Sequence, residues 1–320
     1  MQSRTQSRIF FALLGIVALL VFGWTLFWFV TMQGAKSAFA QIDQRLAQDG
    51  WKRSCTEEGW SGFPFRLDYR CKGLTLAGPE VTFAVPEVKA VALVEEPAAV
   101  RIVATSPGKA TSAAGETTFT FSQAQATARF EGAAAQSVDA ALADLVIEGQ
   151  GGPAFSTKAV RVTVRPERDR VTLSASADQP SFDGPAKLSA QQVSLDGVVA
   201  PPPPGAAKLD TFLKAVAQAG SVFKIDQMAI DGGNFSLKGK GKIGLTPEGY
   251  LDGKLRVEAS SPGAIVNDLE SSGVIAPGND ATQTLLGILG AIGSTALTVN
   301  VDKGKVTVGP FKVGKLPPLF

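Results

Sequence analysis

The stretch from Ile9 to Val30 constrains this chain most: 22 consecutive residues, IFFALLGIVALLVFGWTLFWFV, carry no charge. At helical rise they reach roughly 33 Å, about one hydrocarbon core, so the simplest reading is a single membrane-spanning helix over 9–30. A secretory signal has a shorter apolar region, about 7 to 15 residues, with a small-residue cleavage site directly behind it. Ala38-Phe39-Ala40 supplies an A-x-A string but lies well downstream of the run, so the helix is read as an uncleaved anchor. Arg4 and Arg8 precede the run and Lys36 follows it, which makes 1–8 a cytoplasmic tail and puts the bulk of the chain on the other side. Trp24, Trp28 and Phe29 crowd the far end, where aromatic rings prefer the interface. Ala35, Ala38, Phe39, Ile42 and Leu46 then recur at helical spacing, predicting an amphipathic stalk within 31–50 that ends before Gly50.

Composition removes most catalytic chemistry. Histidine is absent and cysteine occurs twice, which excludes His-based acid–base and nucleophile systems and zinc sites needing three or four His/Cys ligands. No catalytic residue, metal site or cofactor is assigned. Setting aside Arg4 and Arg8, the basic and acidic residues balance at 29 each, and a neutral body lacks the footprint of a nucleic-acid binder. Cys55 and Cys71, a lone close pair in an exported chain, are predicted to form a disulfide whose loop contributes about 3 kcal/mol.

Beyond the stalk the pattern has a period of two. Phe65, Leu67, Tyr69 and Cys71 alternate with charges after Pro64, and the alternation returns in Val81-Phe83-Val85, Thr117 to Phe121, Val160-Val162-Val164 and Val171-Leu173-Ala175. Arg165 to Asp169 reads as a hairpin tip. Pro201 to Pro204 cannot sit inside a central strand or helix, so 201–205 is read as a linker between an N-terminal β lobe, 51–200, and a C-terminal lobe, 206–320. In the second lobe Leu209, Phe212, Leu213 and Val216 form a helical stripe closed by Gly220. Further helices are predicted from Ser261-Pro262 and from Asn279-Asp280, and a hairpin pairs Leu297-Val299-Val301 with Val306-Val308.

Gly239-Lys240-Gly241-Lys242-Ile243-Gly244 matches G-x-G-x-x-G but alternates inside a strand pattern, so it is read as close backbone approach and not as a nucleotide loop. Gly59-Trp60-Ser61-Gly62 is read as a turn. Glu57-Glu58 and Glu95-Glu96 would point to opposite faces of a strand and are read as solvated charge.

So many one-faced strands, with few helices to cover them, leave two arrangements: two sheets packed as a sandwich, or one sheet curled into an apolar trough that needs a lipid or a partner. The trough candidates are Phe65, Leu67, Tyr69, Val81, Phe83 and Val85. The N-terminal anchor, Gly62-Phe63-Pro64-Phe65-Arg66 and the tail Gly309 to Leu319 resemble the bacterial domain-of-unknown-function family 2125 along nearly the whole chain. The glycine-containing strand-turn-strand units are broadly similar to AsmA-like and TamB-like envelope proteins, a likeness that implies lipid transport between membranes or envelope assembly.

The expected fold is mainly β: a transmembrane helix, then an extended antiparallel curved sheet or sandwich with a few short helices in the C-terminal lobe. The expected role is that of a single-pass inner-membrane protein, mostly periplasmic, which handles phospholipid or another envelope lipid without catalysis. The alternative is a periplasmic scaffold without a lipid ligand. No protein partner is assigned.

Overall fold

The computed structural model describes residues 2–113, 115–131, 134–149, 154–184, 187–202, 209–261, 264–265, 271, 297–309 and 311–320. Helix α1, Gln2–Gln48, runs unbroken through the apolar segment and the stalk for 47 residues, about 70 Å at helical rise. Gly50 (φ 79°) ends it. The Gly50 amide reaches the Ala47 carbonyl and the Trp51 amide reaches that of Leu46, the paired bonds that satisfy orphan carbonyls where a glycine turns left-handed. Helix α2, Leu209–Gln218, closes the same way at Gly220.

The described strands are β1 (Lys52–Ser54), β2 (Glu57–Ser61), β3 (Arg66–Ala77), β4 (Val81–Leu93), β5 (Glu96–Ala104), β6 (Gly108–Ser112) and β7 (Gly115–Thr120). They continue with β8 (Gln123–Glu131), β9 (Ala134–Gly149), β10 (Ala154–Pro166), β11 (Val171–Asp178), β12 (Ser181–Asp183), β13 (Lys187–Ser189) and β14 (Gln192–Ala200). The last are β15 (Val222–Asp231), β16 (Ser236–Leu245), β17 (Leu251–Ser260), β18 (Leu297–Asp302), β19 (Lys305–Val308) and β20 (Phe311–Lys315). All belong to one antiparallel sheet. β1 and β2 share the outer side of β3, β3 pairs with β4, and β4 is followed by β5 and β6 end to end. β8 and β7 lead to β9, then β10, then β11 and β12, then β14 beside β11. From β14 to β20 each strand pairs with the next.

Sequence expectations meet this sheet at several points. Phe65 precedes its strand, because the Arg66 amide bonds back to Gly62 and closes a turn there. Gly59-Trp60-Ser61 is not a turn: it lies in β2, paired with Arg70, Tyr69 and Asp68, since the Trp60 ring gains packing on Tyr69 and Phe39. The proline run interrupts a connection and not the sheet, for β14 and β15 pair directly across it. Pro203 and Pro204 lie outside the described residues, as does the helix expected from Asn279-Asp280. Of the helix expected after Ser261, Ala264, Ile265 and Ser271 are described and helical. Pro86 sits inside β4, but opposite the gap between β5 and β6 and level with Gly73, where no ladder bond is lost.

The disulfide joins Cys55, between β1 and β2, to Cys71 of β3, with Cα atoms 5.5 Å apart and a sequence separation of 16. It staples the outer strands to the row beneath α1. Replacing both cysteines by alanine is expected to cost about 3 kcal/mol, read as a lower urea midpoint. Reduction of the wild type should give the same downward shift, and non-reducing peptide mapping should recover the joined pair.

Candidate functional site

Because residues opposite one another in an antiparallel ladder project to the same side, the sheet's two faces can be followed strand by strand. Starting at Tyr69, the register passes through Ala90, Ile102, Ala126, Ala140, Val162, Ala175, Leu195, Met228, Gly239, Val257 and Leu297. No charged residue interrupts the row, which extends about 50 Å at the usual interstrand spacing. One residue along the strands, the register reads Arg70, Lys89, Val103, Gln125, Ala141, Arg161, Ser176, Ser194, Ala229, Lys238 and Glu258, and this opposite face is largely polar. β17 shows the contrast locally: Leu251, Gly253, Leu255, Val257 and Ala259 are half-buried, while Asp252, Lys254, Arg256, Glu258 and Ser260 are exposed.

Helix α1 covers only the start of the apolar face. Trp28, Met32, Ala35 and Phe39, a helical stripe, pack on two small clusters, Leu67/Ala92/Val94 and Tyr69/Cys71/Ala90, whose edges are Val100 and Ile102. Leu67 and Tyr69 are each 5% exposed, so the helix occupies the face they present. Phe65, 68% exposed, meets Trp24 with ring centroids 6.0 Å apart. Phe83 is exposed and stacks on Trp51 at 6.2 Å, just past the end of α1. Val85 lies opposite Leu74, which joins the Tyr69 cluster, and Val81 lies opposite Ser112. The six candidates therefore stand beneath or beside α1. The row beyond Ile102 is half-buried from Ala126 to Val257, and every described strand belongs to the one sheet.

A polar node pins the stalk to the sheet. Arg53 donates to both carboxylate oxygens of Asp43 at 2.7 Å, to the Tyr69 hydroxyl, and to Glu58 at 3.4 Å. Its guanidinium also lies over the Phe39 and Tyr69 rings, 5.7 and 5.8 Å from their centroids. Arg53 holds the Asp43 carboxyl below the usual range. Burial pushes the Tyr69 phenol up to about 12, against the pull of Arg53. Sequence reading missed this node because Asp43 and Arg53 sit in different elements; the only available signal was an acid on the predicted stalk.

Most other polar contacts among the described residues lie on exposed groups, as where Asp144 accepts from Ser122 at 2.7 Å and from Lys158 at 3.3 Å. Glu57 pairs with Lys72 at 2.7 Å, and Glu95 and Glu96 stand exposed at the turn between β4 and β5. The G-x-G-x-x-G string lies within β16, where a Cβ at Gly241 would run into the Lys254 carbonyl of β17. One open depression is polar, lined by Lys158, Asp178, Gln179, Gln191, Gln192 and Asp231. Among the described residues no three potential metal ligands of the His/Cys/Asp/Glu type converge.

The family described as "Uncharacterized protein conserved in bacteria (DUF2125)" matches residues 28–317. No curated protein and no solved structure matches the chain.

The titration of Tyr69 offers a direct test of the helix–sheet seam. A phenol whose folded pKa is raised stabilises the fold fully below its ordinary value of 10.0 and loses that contribution as pH climbs to about 12. Tyr69→Phe should therefore be less stable than wild type below pH 10.0 and approach it toward pH 12. Chemical denaturation across that window checks it; a constant gap between the two proteins would mean that Tyr69 is not shielded by α1. At the acid end, Asp43 favours the fold above its ordinary 3.8, and that contribution disappears as acid protonates it.

Proposed function

The chain belongs to the bacterial family DUF2125, and from that premise we propose that it is an inner-membrane protein whose sheet lies in the periplasm and handles envelope lipid without catalysis. The apolar row from Tyr69 to Leu297 is the observation that carries this reading. It offers methyl and methylene groups over a length far greater than a small-molecule site needs, with no charged group to fix a polar substrate. Acyl chains match that chemistry, since they ask for apolar contact and no directional bonds.

Surface arithmetic supports it. The accessible surface is 19596 Å² for 33.3 kDa, against roughly 12,600 Å² expected for a compact monomer of that mass. Only ten hydrophobic side chains are buried among the described residues. Part of that excess is α1 itself, whose large apolar side chains from Leu14 to Val30 stand mostly exposed; the half-buried apolar face of the sheet adds area that a ligand could cover. The anchor of α1 brings one end of the row to a membrane, where lipid is at hand. Arg4 and Arg8 ahead of the span favour a cytoplasmic N-terminus, and the Cys55–Cys71 bridge suits an oxidising compartment.

Two charge substitutions separate a trough from a sealed core. Leu67→Glu buries a carboxylate beneath α1 and is expected to cost several kcal/mol or prevent folding. Leu195→Glu, at mid-row where the face is half-buried, is expected to change stability by no more than about 1 kcal/mol. In membranes carrying a photoreactive phospholipid, wild-type peptides with Val162, Ala175 or Leu195 should be labelled, and Leu195→Glu should lose that labelling. If Leu195→Glu unfolds as Leu67→Glu does, and wild type takes no label on β10 to β15, the face is closed and a scaffold role takes the place of lipid handling.

A further inference from the structure

We infer that the turn Gly62 to Arg66 is a second membrane contact: it seats Phe63 and Phe65 in the bilayer interface on the sheet side and holds the first rows of the apolar face at the lipid surface. The inference rests on the reading of α1 as a membrane span. It starts from where the turn is tied. The Trp24 indole donates to the Pro64 carbonyl at 3.0 Å and the Trp28 indole to that of Arg66 at 3.1 Å. The same rings meet Phe65 at 6.0 Å and Phe63 at 5.3 Å between centroids.

Both tryptophans belong to the uncharged run, and Trp24 stands six residues inside its last member, Val30. That is about 9 Å along the helix axis. If the turn were kept in water, the span would have to stop before Trp24, leaving the 15 residues Ile9 to Gly23, about 23 Å against a hydrocarbon core of about 30 Å. Seating the turn in the interface removes the shortfall.

The chemistry of the turn fits that depth. Gly62 to Phe65 carries no charge, and Phe63 is 53% exposed. Trp24, Phe27 and Phe29 are exposed at the same level of α1, so the turn completes an aromatic belt. Four of its five carbonyls are occupied: Gly62 by the Arg66 amide, Phe65 by the Val94 amide, Pro64 and Arg66 by the indoles. Backbone leaving water must have such partners, since an unpaired carbonyl in lipid is costly. Arg66, 60% exposed and paired with Asp68 at 2.8 Å, and the exposed Glu95 and Glu96 mark the depth at which insertion stops.

The test uses the full chain in vesicles of phosphatidylethanolamine and phosphatidylglycerol. A photoreactive phenylalanine analogue, which keeps the aromatic ring, is placed singly at Leu20 in the span, at Phe63, at Phe65, and at Lys238 on the polar face. Lipid adducts at Phe63 and Phe65 in yield comparable to Leu20, with Lys238 at background, are expected. Adducts at Leu20 but background at Phe63 and Phe65 would overturn the inserted turn while leaving the span intact. Background at Leu20 as well would remove the span, and the inference with it. Cross-links from Phe65 to a second copy of the chain in place of lipid would also overturn it, by making the turn a protein contact. Mapping of the Cys55–Cys71 bridge in each variant verifies that the seam has formed.

Discussion

A sheet with one apolar face must hide that face from water, and among the described residues α1 is the one long helix with which to do so. The other constraints follow from how far that helix reaches. Its stripe from Trp28 to Phe39 buries Leu67, Tyr69, Cys71, Ala90 and Ala92 and stops near Val100 and Ile102. Past that point the ladder continues from strand to strand with its apolar side mostly half-buried, apart from buried points such as Ala128 and Ile225. The hydrophobic effect scales with area removed from water, so the stability of the first rows comes from α1. The later rows depend on their continuous hydrogen-bonded ladder and on what else shields the apolar side.

The seam beneath α1 is specific as well as apolar. Aromatic contacts run along it from Trp24 and Phe65 through Trp28 and Phe63 to Phe39, Trp60 and Tyr69. At its far end the Asp43–Arg53–Tyr69 node sets the height of the helix on the sheet, since Nε and Nη2 of the planar guanidinium hold both Asp43 oxygens side-on and that pairing is directional. Sliding α1 by one turn would break that pair and both indole bonds together. The disulfide reinforces the same region by tying Cys55 to the strand that carries Tyr69. The apolar segment, the stalk and the first strands are thereby joined in one unit, so the orientation of α1 is passed directly to the sheet.

This coupling gives the functional reading its physical sense. A lipid-handling surface needs an apolar path that starts where lipid is, and here the path begins at the strands packed on α1, which is long and apolar enough to span a membrane. The polar reverse face, with Arg161, Lys238 and Lys254 among its exposed groups, suits an aqueous compartment. Both ends of the sheet are unclosed among the described residues, β1 and β2 on one side and β20 on the other. Glu57 and Glu58 on β2 and Lys312 and Lys315 on β20 put charge on these edges, which discourages unintended strand pairing.

Much of this was legible in the residues themselves. The uncharged run from Ile9 to Val30 determined a helix long and apolar enough to span a membrane, the glycines at 50 and 220 its end and that of α2, and the period of two marked strands such as those at Leu67 to Cys71, Val160 to Val164 and Val171 to Ala175, but not β5, β8, β9 or β14. The close cysteine pair announced its bridge. Local pattern could do this because helix length, caps and strand alternation are set by neighbours within a few residues. Only the tertiary structure decided that Leu67 and Tyr69 lie under the protein's own stalk, that Gly59 to Ser61 extends into β2, and that the ladder passes the proline run without a break. It also decided that Val162, Ala175 and Leu195 fall in one half-buried row. These depend on register between residues far apart in the chain, and on where α1 comes to rest; a strand's alternation says which side is apolar, but not what lies against it.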